Sequence, residues 1–299
     1  MVVAAVFTVF SAAQAQVDDF ADADDSEWIR YDPFLIAGAG SVVTFDTTGG
    51  SYRLACPPSP VPAVGPARGA SFRPDQYTDF CISVDVPVYD GGLEQAFGIL
   101  ARVQSGPAPG AVFGYAMTYH PIDDDIQITR LDNEQIIEIS PYEFLWEPPE
   151  SGVLRLVFMG KGGKLVGRAY DAANPVIALA QTVVTNDTTY SSGMCGIAVI
   201  DNTETGDQAA DATFDNYHAG TGEPGPLRIR KGSGGNLILD WDFPFYEHDL
   251  DRSGSIDPWI GVPVVGSLPT YSNGTLSITT SVLEGGRMSF FRLFRAPLP

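Results

Sequence analysis

The sequence is short of cysteine, histidine and basic side chains, and each shortage removes a class of function. Three cysteines and three histidines in 299 residues, with no Cys-x-x-Cys spacing, leave no pattern for a zinc site. Seventeen Lys and Arg against 37 Asp and Glu give a net charge of −20, which repels a phosphate backbone and an anionic bilayer. Nucleic acid and anionic membrane are poor partners for such a chain. No segment beyond the N-terminus approaches the ~20 apolar residues that span a bilayer, and helical periodicity is nearly absent. The odd cysteine count permits at most one disulfide. Cys56 and Cys81 lie in strand-like runs, where a buried thiol behaves as a small hydrophobe.

What is present defines the organisation. With 44% hydrophobic and 18% charged residues the chain can bury a real core. Residues 1–224 hold 10 basic and 30 acidic side chains, whereas residues 225–299 hold 7 of each. This step coincides with the Gly/Pro-rich stretch from Gly220 to Pro226, which can extend neither a helix nor a central strand. We read a first domain over 16–219, a linker over 220–226 and a smaller domain over 227–299. Met1 to Gln16 is apolar and ends in Ala13-Gln14-Ala15, the small-x-small pattern of signal-peptide cleavage, although no Lys or Arg precedes it. Residues 1–15 are thus expected to be a signal peptide, with a buried first strand as the alternative. The acidic stretch Asp18 to Glu27 then opens a mature protein, secreted or held at the cell surface in a periplasmic or extracellular setting, with no membrane insertion after cleavage.

The first domain reads as strand after strand. Phe97 to Val103, Tyr115 to Tyr119, Ile126 to Leu131 and Leu154 to Phe158 are short runs rich in β-branched and aromatic residues, separated by turn signals. Gly160-Lys161-Gly162-Gly163-Lys164 lacks both the spacing and the Ser or Thr of a phosphate loop, so it reads as a tight hairpin. Many short strands with 32 Gly and 23 Pro point to an all-β antiparallel sandwich.

Particular segments also carry a resemblance. Asp18-Asp19-Phe20 with Trp28, then Gly98 to Val103, Gly114-Tyr115-Ala116, Leu154 to Phe158, Leu165 to Asp171, Ser192 to Ile197 and Ala212 to Tyr217, resemble in order and spacing the concanavalin A-like (laminin G-like) jelly-roll domains of exported bacterial proteins. The resemblance covers about residues 17–219. It implies a two-sheet jelly roll and leaves activity open, because such domains serve as sugar-binding modules, adhesion modules, glucanases and hydrolases of sugar derivatives.

A retaining glucanase needs two carboxyls about 5 Å apart, which alternate positions on one strand supply. The Glu-x-Asp-x-x-Glu motif of family-16-type glucanases does not occur; the nearest match, Glu247-x-Asp249, has Arg252 at the final position and lies in the other domain. Asp123-Asp124-Asp125 reads as a solvated turn, and His120 beside Pro121 as exposed. Sugar binding asks for less: aromatic faces against C–H groups and planar polar groups for hydroxyls. Tyr115, Tyr119, Arg102 and Gln127 lie on strands resembling the concave sheet, and Trp146, with Tyr142, lies in the Pro-rich loop Ser140 to Ser151. Core packing competes for every one of these positions.

The resemblance further implies a structural calcium ion where first and last strands meet, held here by Asp19 (or Asp18) and Asp215. In the second domain Asp249 to Asp257 imitates an EF-hand loop, but Ile260 replaces the bidentate carboxylate and Pro258 interrupts the loop. Asn236 to Trp241, Arg252-Ser253 with Trp259, and Phe290 to Leu293 instead resemble a small C-terminal β module of exported proteins from Verrucomicrobia-type bacteria, in which that segment is strand and turn. Attachment to the cell surface or simple spacing is the role this implies. Two readings stand: an exported non-catalytic protein whose sandwich binds a glycan or cell-surface polysaccharide, and an extracellular hydrolase of a sugar derivative or polysaccharide. The missing carboxylate motif favours the first.

Overall fold

The computed structural model describes residues 16–105, 111–203, 205–222, 227–233, 236–242, 248–253, 262–263, 269–272, 275–280 and 290–295. The expected signal peptide, 1–15, and residues 223–226 of the expected linker lie outside them. In chain order the strands of the larger unit are β1 (Gln16–Asp18), β2 (Ile29–Tyr31), β3 (Thr44–Asp46), β4 (Tyr52–Cys56), β5 (Arg68–Tyr77), β6 (Phe80–Tyr89), β7 (Gln95–Ser105) and β8 (Val112–His120). They continue as β9 (Asp125–Asp132), β10 (Gln135–Glu138), β11 (Glu143–Phe144), β12 (Leu154–Lys161), β13 (Lys164–Asp171), β14 (Ala180–Val184), β15 (Gly193–Asp201) and β16 (Ala210–Gly220). In the larger unit helix is confined, among the described residues, to one turn at Pro33–Ile36 and a 3₁₀ turn at Pro62–Val64.

Two antiparallel sheets result. Sheet A runs β14-β13-β12-β6-β16-β4-β3 with β1 beside β16, and sheet B runs β10-β9-β8-β7-β15-β5-β2 with β11 beside β9. This is the antiparallel sandwich anticipated from the strand pattern, in the two-sheet jelly-roll form that the resemblance implied. Strand alternation builds its core: Leu154, Leu156 and Phe158 of β12, Ile82, Val84 and Val86 of β6, and Ile126 and Ile128 of β9 share one buried cluster between the sheets. Phe20 and Trp28, which head the family-like N-terminal segment, pack against Tyr52 and Tyr217 within that cluster, and the Trp28 indole donates to Asp18 at 2.7 Å. The β12–β13 hairpin turns at Gly162, whose φ of +57° suits a residue without Cβ.

The smaller unit comprises β17 (Arg228–Lys231), β18 (Leu237–Asp242), β19 (His248–Ser253), β20 (Val262–Pro263), β21 (Thr270–Ser272), β22 (Thr275–Thr280) and β23 (Phe290–Arg295). It forms a four-stranded sheet, β17-β18-β22-β21, and a three-stranded one, β20-β19-β23. The first five positions of the EF-hand-like segment are extended strand, paired with β23 from Asp249↔Phe294 to Ser253↔Phe290. The two units touch. Val176 of the sandwich is buried with Leu239, Trp241 and Leu276, and Arg155 of sheet A donates to the Tyr271 hydroxyl at 2.9 Å.

All three cysteines are buried, and none forms a disulfide. Burial pushes the Cys56 and Cys195 thiols up to about 12, so neither is a reactive thiolate.

Candidate functional site

The outward face of sheet B is hollowed into a cleft of about 900 Å³, counted out to bulk solvent. Its floor is Phe72 and Leu100 together with the small side chains Ala70, Ala96, Ala116 and Ala198. Small residues here deepen the trough, while larger ones on the opposite strand face fill the core. The floor is therefore apolar, and polar groups gather at its two ends.

At the first end, Asp125 opens β9 opposite His120, the last residue of β8. Their side chains meet between His120 Nδ1 and Asp125 Oδ1 at 2.6 Å, and both are buried, His120 being 7% exposed. The other imidazole nitrogen is 3.4 Å from the Thr118 hydroxyl. The Tyr142 ring lies 5.8 Å from that of His120, and its hydroxyl donates to Glu138 at 2.8 Å. Burial and the Glu138 carboxylate together raise the Tyr142 pKa, keeping the phenol protonated.

The second end lies eight residues away along β8, about 26 Å at the usual strand rise. Here Glu134 sits in the two-residue turn between β9 and β10 and forms an ion pair with Arg68 at the start of β5; its Nε approaches at 2.8 Å. Tyr31 of β2 donates its hydroxyl to the same carboxylate. Since β15, β7 and β8 lie between β5 and β9, this clasp joins the two margins of the sheet across its own cleft. Asn133 and Glu134 take φ of +58° and +60°, the pair of positive values that a two-residue type I′ hairpin turn requires, although glutamate rarely adopts that region. The Glu134 amide bonds to the Val112 carbonyl at 2.9 Å, and two further carbonyls, Val64 and Pro66, hold the Arg68 guanidinium.

Of the residues expected to touch a ligand, Gln127 lies in the cleft, with Thr129 beside it on the same strand face. Trp146 is 62% exposed and lies outside the cleft lining, bonded to the Ala178 and Leu179 carbonyls. Tyr115 and Tyr119 are corrections: they are core residues, 0% and 1% exposed, between the sheets. The register explains why, since Tyr119 pairs with Ile126 and Thr118 with Gln127, so the two tyrosines share parity with the core and Gln127 does not. The Tyr115 hydroxyl donates inside to Asp187 at 2.7 Å, and burial pushes it up to about 12. Arg102 is a third correction. A bulge between Ala101 and Gln104 and a φ of +52° turn it inward, where it donates to the Thr78 and Tyr190 carbonyls at 2.8 and 3.1 Å.

His120 and Asp125, read from sequence as exposed and as part of a solvated turn, are instead a buried pair in the site. The signal for them was strand parity, because Thr118, His120, Asp125, Gln127 and Thr129 are the polar residues alternating with Tyr119, Ile126 and Ile128. Arg68, Tyr31 and Glu134 have no local signal at all; only the closure of the sheet brings them together.

Asp19 and Asp215 do approach each other at the junction of β1 and β16. Burial raises the Asp215 carboxyl above its ordinary value, and the charges of Asp85, Asp19 and Asp18 add to the effect against a hydrogen bond from the Asn216 amide. Asp85 is held by Arg155, and Asp18 by Trp28. Among the described residues no group of three His, Cys, Asp or Glu side chains is arranged as a metal cluster. The acidic pair fits a calcium ion only if backbone carbonyls or water complete its usual six to eight oxygens.

No protein-family model matches the sequence, and no curated protein matches it. Among solved structures, similarity is found to carbohydrate binding module CBM66 from Bacillus subtilis, at TM-score 0.44 and 15% identity over 65% of this chain and 95% of that one. A protein of unknown function with a galectin-like fold from Bacillus subtilis gives TM-score 0.48 and 7% identity over 69% and 94% of the two chains. A beta-glucanase of Bacillus licheniformis gives 0.44 and 13% over 69% and 97%. Likenesses this distant say nothing about ligand or reaction, which rest on the cleft itself.

Proposed function

We propose that the protein is an exported, non-catalytic carbohydrate-binding protein that takes a glycan into the cleft of sheet B, with the smaller unit spacing or attaching it at the cell surface. The observation that supports this reading is the cleft's composition. An apolar floor faces the C–H surfaces of a sugar, while the Gln127 amide, the Thr118 and Thr129 hydroxyls and the Tyr142 ring stand at its walls. The two carboxylates on the cleft lining, Glu134 and Glu138, are both engaged, one by Arg68 and Tyr31 and the other by Tyr142. Glycoside hydrolysis would require a free acid and a partner carboxylate or activated water.

Hydrolysis of a sugar derivative is a second reading, favoured by the buried His120–Asp125 pair, whose geometry would suit a general base. A glycan array followed by titration separates the two. Neutral-glycan binding that falls about tenfold in Gln127→Ala and Thr129→Val, with unchanged melting, supports the binding reading. Retention of no glycan overturns it, and sustained release of sugar abolished by His120→Gln replaces it with hydrolysis.

A further inference from the structure

Five of the large exposed apolar side chains, Ile122, Tyr142, Phe144, Trp146 and Ile177, belong to the turns and edge segments toward the His120 end of the cleft. Three of them alternate along one segment, Tyr142, Phe144 and Trp146, with Leu145 packed inward against the core. Tyr142 lines the cleft and Phe144, two residues on in β11, falls about 6.6 Å from it on one face, with Trp146 following at a bend, so the three exposed aromatics lead outward from the cleft wall as a ledge.

The ledge is fixed in place. Glu143 and Phe144 pair with Ile126 and Asp125, and the Leu145 amide donates to the Asp124 carbonyl at 2.8 Å. The Trp146 backbone amide donates to Leu179 at 3.2 Å and its indole to Ala178 at 3.1 Å. Tyr142 is tied to Glu138. Ordering an exposed aromatic costs entropy and leaves apolar surface in water, yet Phe144 stays 66% exposed. Rings held in this way are pre-organised for a partner.

The charge around the ledge narrows the partner. Residues 120–150 hold nine carboxylates and one arginine, which repel a uronate or sulfated chain. At the far end the cleft is crossed by the Arg68–Glu134–Tyr31 clasp, whereas its His120 end carries the ledge, so a chain lying along the trough is directed over the ledge.

We infer that the cleft takes the end of a neutral, extended glycan chain, whose following units lie across Tyr142, Phe144 and Trp146. This rests on the binding reading above and adds to it both the direction and the length of the ligand. Two measurements on the full chain test it, using the neutral polysaccharide best retained on an array. In the first, oligomers of one to six units are titrated. Affinity rises about tenfold once the chain is long enough to reach the ledge; Phe144→Ala and Trp146→Ala remove that gain while leaving the shortest ligands and the melting temperature unchanged. Trp146→Phe, which keeps an aromatic face, retains most of the gain and guards against a variant that fails to fold.

In the second, the polymer is partly cleaved, multiplying chain ends at constant mass, and its binding capacity rises with the number of ends. Length-independent affinity, a long-oligomer affinity untouched by the ledge substitutions, or a capacity set by mass overturns the inference and leaves glycan binding standing. An array that retains only charged glycans overturns the inference and leaves glycan binding standing, and one that retains no glycan overturns both.

Discussion

On sheet A the outward side chains of the central strands are shut away: Cys81, Val157, Met159, Val166 and Tyr170 are all buried, and Tyr271 of the smaller unit lies against Arg155. On sheet B the equivalent outward positions line an open cleft. The same alternation of strand residues supplies both, so what separates scaffold from site is what lies over each face. Charge follows the same division. Sheet A keeps a closed ion pair, Arg155 with Asp85 at 2.5 and 2.7 Å, completed by Asn216 at 3.0 Å. Sheet B keeps its ion pair, Arg68 with Glu134, at one end of an open trough whose other groups are hydroxyls, an amide and an imidazole. If this contrast is right, substitutions on the two faces should fail in different ways.

The largest difference should come from Arg155. Arg155→Ala leaves Asp85 as a buried charge with only Asn216 to answer it, and breaking such a pair costs about 3–5 kcal/mol. Denaturant unfolding should show that loss, with glycan affinity preserved at temperatures where the variant is folded. Gln127→Ala on the other sheet should cost about 1 kcal/mol or less and lose binding instead. Equal stability losses at the two positions would remove the distinction between the faces.

The strand order of this contrast was legible in the sequence, and its closure was not. Runs such as Ile126 to Leu131 and Leu154 to Phe158 declare strands, because β-branched and aromatic residues alternate between turn signals. The same alternation, followed from Ile126 through Tyr119 by register, places the tyrosines inside, but register is a property of pairs of strands and a single sequence does not contain it. Arg102 was hidden by a different cause, since one bulge reverses the parity of everything around it. The smaller unit carried least, because a few short strands declare β structure without declaring what they rest on. Val176 and Arg155 acquire their partners in the smaller unit only when the chain has folded back by 63 to 116 residues.

A smaller effect should appear at the rim of sheet B. Asp187 accepts from Tyr115 at 2.7 Å and from Arg130 at 2.8 Å, which ties its loop to strands β8 and β9. Burial alone would raise this carboxyl, but the Tyr115 hydroxyl, Thr189 and Arg130 overcome it and hold the pKa at about 2, against 3.8 unperturbed. A depressed folded-state pKa stabilises above the unfolded value and is lost as pH falls through the folded one. Between pH 4 and pH 2 the protein should therefore lose about 2 kcal/mol from this group. Stability measured across that interval should fall, and in Asp187→Asn this component of the slope should vanish. A slope unchanged by the substitution would place the acid-sensitive contact elsewhere, the closed face of sheet A included.

The smallest effect belongs to the acidic junction of β1 and β16, on the edge of the closed sheet. Asp215 has a raised pKa, so its ionised form costs the folded state stability at neutral pH, the reverse of Asp187. Two changes can remove that cost. One is substitution: Asp215→Asn takes away the charge that faces Asp85, Asp19 and Asp18, and should raise the melting temperature slightly at pH 7. The other is a cation. Calcium bound weakly at Asp19 and Asp215, with a dissociation constant near the millimolar values of extracellular modules, would contribute about 1.4 kcal/mol at ten times that concentration, roughly 3–6 °C for a domain of this size. The two should not add. Calcium ought to stabilise the wild type and leave Asp215→Asn unmoved, because the ligand and the repulsion are the same carboxylate. Melting curves with calcium, with magnesium and with chelator decide the matter. A calcium shift that survives Asp215→Asn would place the ion elsewhere, and no shift in the wild type would leave the junction as a repulsive pair that the surrounding ion pairs and core simply outweigh.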